Sequence, residues 1–363
     1  MRQLILQTCI PHYRIPLFDL IADNLGAEFR VVAGEQYFDA TVKTSAQGKS
    51  WYVSCRNQFL AGNRLLWQQG LPSLAGVEHL VVEGNPRALS SWHYLLQARR
   101  LGVRTAVWTH AFGRGQSHLR LTRKLLYMLA DCIICYSAEG ARMLAPVFPG
   151  KEILVAGNSN LLARDCRSIE GVAEERNCVL FLGRLVPEKR VALLINALCI
   201  LQARGEQIGA RIVGDGPEKS VLEDLVRRHQ LKDVVFPGYI KNQDKIREFA
   251  AGCFALACPG TAGLALTQAQ SMGLPFIFCP EEDNGPETEM ADVGINCLNF
   301  AHNNAESLAQ ALASMYRERE LWLSRSHDYV RRVSTGYTIE AMAATFADFF
   351  RVSGKTARWF RSH

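Results

Sequence analysis

The chain has 363 residues, 48% hydrophobic and 21% charged, which excludes a disordered or low-complexity protein. That length exceeds one ordinary core and predicts two domains of roughly 150–180 residues each. Lysine plus arginine exceed aspartate plus glutamate by 41 to 35, a mild excess that suits an anionic substrate or an anionic membrane surface and is too small to argue for a nucleic-acid binder.

The segment MRQLILQTCIPHYR holds a strand-like run, Gln3 to Cys9, too short for a secretory core, and no stretch approaches ~20 apolar residues, so a reduced, cytoplasmic protein is expected. Pro11-His12-Tyr13-Arg14 separates this strand from a helix over Ile15 to Leu25. Strand, loop and helix open a doubly wound domain. Further strands are expected at Phe29 to Ala33, Glu78 to Glu83 and Arg104 to Trp108, each running into a polar or glycine-containing loop: Gly34-Glu35-Gln36, Gly84-Asn85-Pro86-Arg87 and Thr109-His110. Such loops, with His12, Tyr13, Arg14, Arg87 and His110 among their residues as candidates for ligand contact, line one edge of one sheet.

Gln116 to Ala130 reads as a helix with an apolar face of Leu121, Leu125, Met128 and Leu129. Arg120, Arg123 and Lys124 crowd another side, either as a solvated face or as a contact for anionic lipid. Strands at Cys132 to Tyr136 and Glu152 to Ala156 bracket a helix at Ala138 to Leu144. The eleven cysteines lack the density of a disulfide scaffold, and Cys132 and Cys135 read as buried thiols on opposite faces of a strand. Gly157 to Glu175 has turn residues without periodicity. The first domain is therefore placed at 1–160 and a linker at 161–175.

The pattern restarts at VLFLGRLVPEKR. Val179 to Leu182 is a strand apolar on both faces, Gly183 ends it, and Pro187 and Glu188 suit the first turn of a helix continued by Val191, Leu194, Ile195 and Leu198. Arg184 then leaves a strand's carboxyl end and Lys189 falls near a helix N-terminus, which together make an anion site. Ala210 to Val213 runs into Gly214-Asp215-Gly216-Pro217. Val234 to Phe236 runs into Pro237-Gly238-Tyr239, and Phe254 to Cys258 into Pro259-Gly260-Thr261-Ala262-Gly263-Leu264. The glycine run at 214–216 is not the GxGxxG fingerprint and no GxxxxGK[ST] loop occurs, which disfavours a nicotinamide cofactor and an ATP-hydrolysing engine. Gly263 opens a helix and permits close backbone approach to a phosphate, Gln268 one turn inside offers both donor and acceptor to a hydroxyl, and Glu287 and Glu289 stand in a polar turn, NGPETE. The second domain is placed at 176–340. A C-terminal helix from Thr338 to Phe350 and a basic tail to His363 occupy the rest, the tail pairing Arg351, Lys355, Arg358 and Arg361 with Trp359 and Phe360.

FLGRLVPEKR, IVGDGP, FPGY, PGTAGLALTQAQSMGLP and NGPETE, in this order, resemble the retaining family-4 nucleotide-sugar glycosyltransferases; CIPHYRIPLF and VWTHAFGRG resemble their bacterial polysaccharide-assembly branch. The resemblance implies an α/β fold of two Rossmann-like domains (GT-B) facing across a cleft, the last helix crossing back to the first domain. It implies that Arg184 and Lys189 grip the donor diphosphate and that Gly263 and Leu264 supply amides to it. Gly183 and Gly214 would lie on the donor side, Tyr239 beside the base, and His110 near the transferred sugar. The chain departs from the family at one pair of positions: two glutamates seven residues apart are usual, and here Gly260 and Gln268 stand in their places. Gln268 keeps hydrogen bonding and loses a charge, which Glu287 or Glu289 could supply.

The expected reaction is sugar transfer from a nucleoside diphosphate to a hydroxyl of a glycan or lipid-linked acceptor with retention, at the inner face of the plasma membrane and in surface polysaccharide synthesis. No paired-carboxylate DxD motif stands near a suitable loop, so metal-independent stabilisation of the leaving group is expected, with no cofactor beyond the sugar nucleotide. The alternatives are a non-catalytic sugar-nucleotide-binding protein and an epimerase or phosphorylase of the same fold.

Overall fold

Strands apolar on both faces need cover on both, and parallel pairing with crossover helices supplies it. The structure, a computed structural model, describes residues 2–38, 42–111, 120–171 and 173–352, the side chain of Glu174 excepted. The chain divides into two compact units, Met1–Asn160 with Ile339–His363, and Leu161–Thr338.

The strands of the first unit are β1 (Gln3–Gln7), β2 (Phe29–Ala33), β3 (Tyr52–Ser54), β4 (Arg56–Leu60), β5 (Leu65–Gln69), β6 (His79–Glu83), β7 (Arg104–Thr109), β8 (Cys132–Cys135) and β9 (Glu152–Val155). Seven of them form a parallel sheet in the order β3-β2-β1-β6-β7-β8-β9, while β4 and β5 pair as an antiparallel hairpin. The hairpin has no counterpart among the expected elements: RNQFL is short, polar and only half-buried, so alternation is weak there. Helices α1 (Ile15–Leu25), α2 (Leu89–Leu101), α3 (Arg120–Leu129) and α4 (Ala138–Leu144) belong to this unit. Cys132 and Cys135 are buried free thiols, and burial pushes the Cys135 thiol up to about 12.

The second unit holds β10 (Cys178–Leu182), β11 (Gly209–Val213), β12 (Val234–Gly238), β13 (Cys253–Cys258), β14 (Phe276–Phe278) and β15 (Cys297–Asn299), a parallel sheet in the order β12-β11-β10-β13-β14-β15. This is the doubly wound order, with its reversal between β10 and β13. Alternation along β10 feeds two core layers: Val179 and Phe181 enter one, Cys178 and Leu180 the other. Its helices are α5 (Val191–Ala203), α6 (Lys219–Arg228), α7 (Gln243–Ala250), α8 (Leu264–Ser271), α9 (Ala305–Arg317), α10 (Arg319–Ser324) and α11 (Ser326–Gly336).

The last helix, α12 (Ile339–Arg351), packs on α1 and completes the first unit. Phe346, Phe349 and Phe350 are buried, Phe346 edge-on to Trp108 at 4.9 Å, and the Thr345 hydroxyl donates to the Val155 carbonyl at 2.9 Å. Of the basic tail only Arg351 is described; Lys355, Arg358, Trp359, Phe360 and Arg361 lie outside the described residues.

Three expectations are corrected. Residues 161–175 do not stand apart as a linker, because the Arg167 and Ile169 amides donate to the Ser271 and Met272 carbonyls and Ile169 packs into the second unit's core. Pro187–Lys189 forms a 3-10 turn closed by Arg190 in the left-handed region (φ 48°, ψ 39°), and α5 starts only at Val191. In α3 the buried residues are Leu126 and Tyr127, whereas Leu121, Leu125 and Met128 are exposed; the expected positions 116–119 lie outside the described residues.

Candidate functional site

In an open α/β sheet, ligands bind beyond the carboxyl ends of the strands where the strand order reverses. In the second unit those strands are β10, which runs into Gly183 and Arg184, and β13, which runs into the loop Pro259 to Gly263. The two loops are locked together. The Glu188 carbonyl accepts from the Thr261 amide at 3.0 Å and from its hydroxyl at 3.1 Å, and Lys189 Nζ donates to the Thr261 carbonyl at 2.6 Å. A Cβ added at Gly260 would lie 2.2 Å from the Glu188 oxygen, so the contact excludes any side chain there. A glutamate at this position is thus sterically excluded.

The glycines on neighbouring strands serve the same close packing. Gly214 has φ +152° and a Cβ there would fall 1.8 Å from the Gly183 carbonyl, while the Gly183 amide donates to the Val213 carbonyl at 3.0 Å. Arg184 is exposed and makes no ion pair or hydrogen bond with another described residue, which leaves its guanidinium available. Tyr239 is 61% exposed at the end of β12. Gly263 caps α8, Leu264 is its first residue, and their position puts the helix's positive end at the loop.

Of the two candidate carboxylates, the structure brings one to the loop. Glu287 is buried, with Oε2 3.8 Å from where a Cβ on Gly263 would stand and 2.2 Å from one on Gly285. Glu289 instead accepts from the Tyr337 hydroxyl at 2.9 Å. Gln268 is 9% exposed on α8. Sequence reading missed Asn284, which clamps the loop: Oδ1 accepts from the Ala262 amide and Nδ2 donates to the Cys279 carbonyl, both at 2.8 Å. Only its place at the head of NGPETE hinted at this. A hollow of about 610 Å³ nearby is lined by Glu188, Glu218 and Glu282 together with Arg190, which pairs with Glu282.

In the first unit the order reverses between β1 and β6. Arg14 is not free to reach a ligand: it is buried, with Nη1 donating to the Ser159 carbonyl at 3.2 Å, Nη2 donating to Asn158 Oδ1, and the guanidinium near the rings of Tyr13, Trp108 and Tyr136. His12 is exposed and Tyr13 half-buried beside it. Arg87 stacks on Phe38 at 4.0 Å and donates to the Arg64 and Asn63 carbonyls at 2.8 and 2.6 Å, holding the β4–β5 turn.

His110 stacks on Tyr136, with centroids 4.0 Å apart and planes at 20°. Crowding by the surrounding protein, then the Arg14 and Arg123 guanidiniums, lower its pKa to about 4. The residue still presents much surface to solvent, so the two cations are the firmer cause.

Residues 164–330 match the family described as glycosyl transferases group 1. The matched span contains Arg184, Lys189 and the whole loop from Gly260 to Leu264. The Mycobacterium tuberculosis GDP-mannose-dependent alpha-(1-6)-phosphatidylinositol monomannoside mannosyltransferase is 26% identical over 187 residues, 49% of this chain and 48% of that protein. The putative colanic acid biosynthesis glycosyltransferase WcaL of Salmonella typhimurium is 28% identical over 148 residues, 38% of this chain and 36% of that one. The chain therefore spans less than half the length of these relatives. Anabaena Alr3699/HepE in complex with UDP superposes with a TM-score of 0.70 at 15% identity over 96% of this chain and 99% of that one. The fold is that of GT-B glycosyltransferases, two Rossmann-like domains.

Two outcomes follow from this geometry. Gly260→Glu should lower thermal stability, since the Glu188 carbonyl must retreat and take Lys189 with it; a variant as stable as the parent in a thermal-shift series would refute the steric account. Histidine NMR should place the His110 inflection near pH 4, below the ordinary imidazole range. Because the folded pKa lies below the unfolded value of about 6.5, the unfolded state binds the extra proton between those values, and stability falls as pH drops through that window. His110→Asn should flatten that slope, and an unchanged slope would assign it to other groups.

Proposed function

We propose that the protein transfers a sugar from a nucleoside diphosphate to a hydroxyl of a glycan or lipid-linked acceptor, with retention at the anomeric carbon. The observation that carries this reading is the Lys189 Nζ bond to the Thr261 carbonyl, which holds a cation on the glycine loop beside a free Arg184, within the span that matches the glycosyl transferases group 1 family. Two cations and a helix N-terminus form a cradle for a diphosphate whose charge grows as the glycosidic bond breaks. Arg184 and Lys189 stabilise that charge, so the leaving phosphate can take the acceptor's proton and neither a protein base nor a metal is demanded. Gly183, Gly214, Gly263 and Leu264 let backbone approach the phosphates. Tyr239 lies on the base side, Gln268 and Glu287 bind sugar hydroxyls, and His110, neutral at physiological pH, offers a hydrogen bond to the sugar.

The test is turnover with a panel of nucleoside diphosphate sugars. Arg184→Ala and Lys189→Ala should each lose about a hundredfold or more in kcat while keeping the far-UV spectrum; near-normal turnover in both would remove this loop pair from the mechanism. Donor binding without turnover over a broad acceptor panel would favour the non-catalytic reading that Gly260 and Gln268 motivate.

The same proposal places the protein peripherally at an anionic bilayer, at the inner face of the plasma membrane and in polysaccharide assembly. Its support is α3, where Leu121, Leu125 and Met128 are 67%, 46% and 55% exposed beside Arg120, Arg123 and Lys124. No helix among the described residues is long and apolar enough to cross a membrane. Full-length protein should float with anionic vesicles at low salt and a Leu121→Ser/Leu125→Ser/Met128→Ser variant should not; parent protein that stays at the bottom of the gradient sinks the idea.

A further inference from the structure

At the carboxyl ends of β14 and β15, on the same edge of the sheet as the glycine loop after β13, three side chains of different chemistry converge. They are Cys279, Glu281 and His302, and one ligand atom of each lies within 4.8 Å of the others. The spacing Cys-Pro-Glu with a histidine far downstream is no recognised metal signature, so only the fold brings them together. Cys279 Sγ stands 3.6 Å from Glu281 Oε2. A tetrahedral zinc ion with a Zn–S bond of about 2.3 Å and a Zn–O bond of about 2.0–2.2 Å spreads its sulfur and oxygen by about 3.6 Å.

The surroundings hold the three donors in place. The His302 amide donates to Glu281 Oε2 at 2.8 Å, which fixes the carboxylate. Glu282 Oε1 lies 3.2 Å from His302 Nδ1, the outer-shell carboxylate that orients a ligating imidazole. A cation already faces this nest: Arg190 Nε pairs with Glu282 Oε1 at 3.1 Å and its Nη2 lies 3.4 Å from His302 Nε2. A divalent ion ligated through Nε2 must therefore displace the guanidinium from that nitrogen, while Arg190 can keep its pair with Glu282.

We propose that Cys279, Glu281 and His302 form a binding site for one borderline divalent cation of the zinc class. The ion joins the loop after β14 to the loop after β15, and binding releases the thiol proton to solvent because the ligand is the thiolate. Three protein donors of this kind suit zinc or cobalt and not magnesium, which prefers an all-oxygen octahedron. The site has a route to the glycine loop, since Asn284 ties the Cys279 carbonyl to the Ala262 amide. It is separate from the proposed transfer reaction and does not depend on it.

The experiment is titration of chelator-stripped, full-length protein with Co2+, read by absorption. One equivalent should give a thiolate-to-cobalt charge-transfer band with tetrahedral d–d bands, displaced by Zn2+. Glu281 and His302 are exposed, so Glu281→Gln and His302→Ala can be compared at unchanged circular dichroism; each should weaken binding by at least about tenfold, the scale on which even outer-shell changes act. Cys279→Ser should abolish the charge-transfer band. Absence of that band at saturating Co2+, or a band that persists unaltered in Glu281→Gln and His302→Ala, would overturn the assignment and place any bound cobalt on other cysteines.

Discussion

The contact between the Glu188 carbonyl and the backbone at Gly260 is the constraint on which the second unit's functional edge depends. It joins the loops after β10 and β13, the two strands at which the sheet reverses order. Because one carbonyl serves both the amide and the hydroxyl of Thr261, the turn Pro187–Lys189 cannot drift from the glycine loop without losing two hydrogen bonds. The chain bears a cost for this docking. Arg190 must adopt the left-handed region, unfavourable by about 1–2 kcal/mol for a residue with a Cβ. Its ion pair with the largely buried Glu282 offsets that strain and holds the start of α5 where Lys189 can reach Thr261.

The same contact bears on where negative charge resides. A carboxylate at 260 is sterically excluded and Gln268 carries no charge, so neither position puts a carboxylate on the loop or helix. Glu287 approaches the loop from the NGPETE turn, with Gly285 as the residue that makes room for it. The buried Glu287 carboxyl stands against the backbone of Gly285 and Gly263. The acidic group near the N-terminus of α8 thus comes from this turn and not from the helix itself.

Much of this was legible in the sequence, for identifiable reasons. The strands at residues 29–33, 178–182 and 253–258 are apolar on both faces, and such runs declare themselves without tertiary knowledge. Lys189 could be placed near the phosphate loop because its turn follows a strand by a fixed short distance. What could not be read was tertiary in origin. The hairpin β4–β5 is half-buried and polar, and it exists because Arg87 and Gln68 hold it: Arg87 grips its turn, and the Gln68 amide donates to the Ser90 hydroxyl and, through Nε2, to the Gln7 carbonyl at 3.0 Å. Arg14 looked like a ligand-binding arginine from its loop, yet partners over a hundred residues away, Asn158 and Ser159, bury it. Residues 161–175 lack periodicity because they pack as irregular chain, which sequence patterns cannot distinguish from a linker.

The two units share a topology and differ in what fills the reversal point, and that difference assigns their roles. In the first unit the amide of Thr8, just past β1, is already bonded by the Glu83 carboxylate at 2.9 Å, and burial raises the Glu83 pKa. A protein carboxyl there already takes the amide that an anion would use. At the corresponding point of the second unit stand a lysine, an exposed arginine and a helix N-terminus. A phosphate at the second unit's reversal point would thus meet these cations and the amides that open α8, whereas in the first unit the Thr8 amide is already taken by Glu83 and the Arg14 and Arg123 cations lie by His110, which stacks on Tyr136.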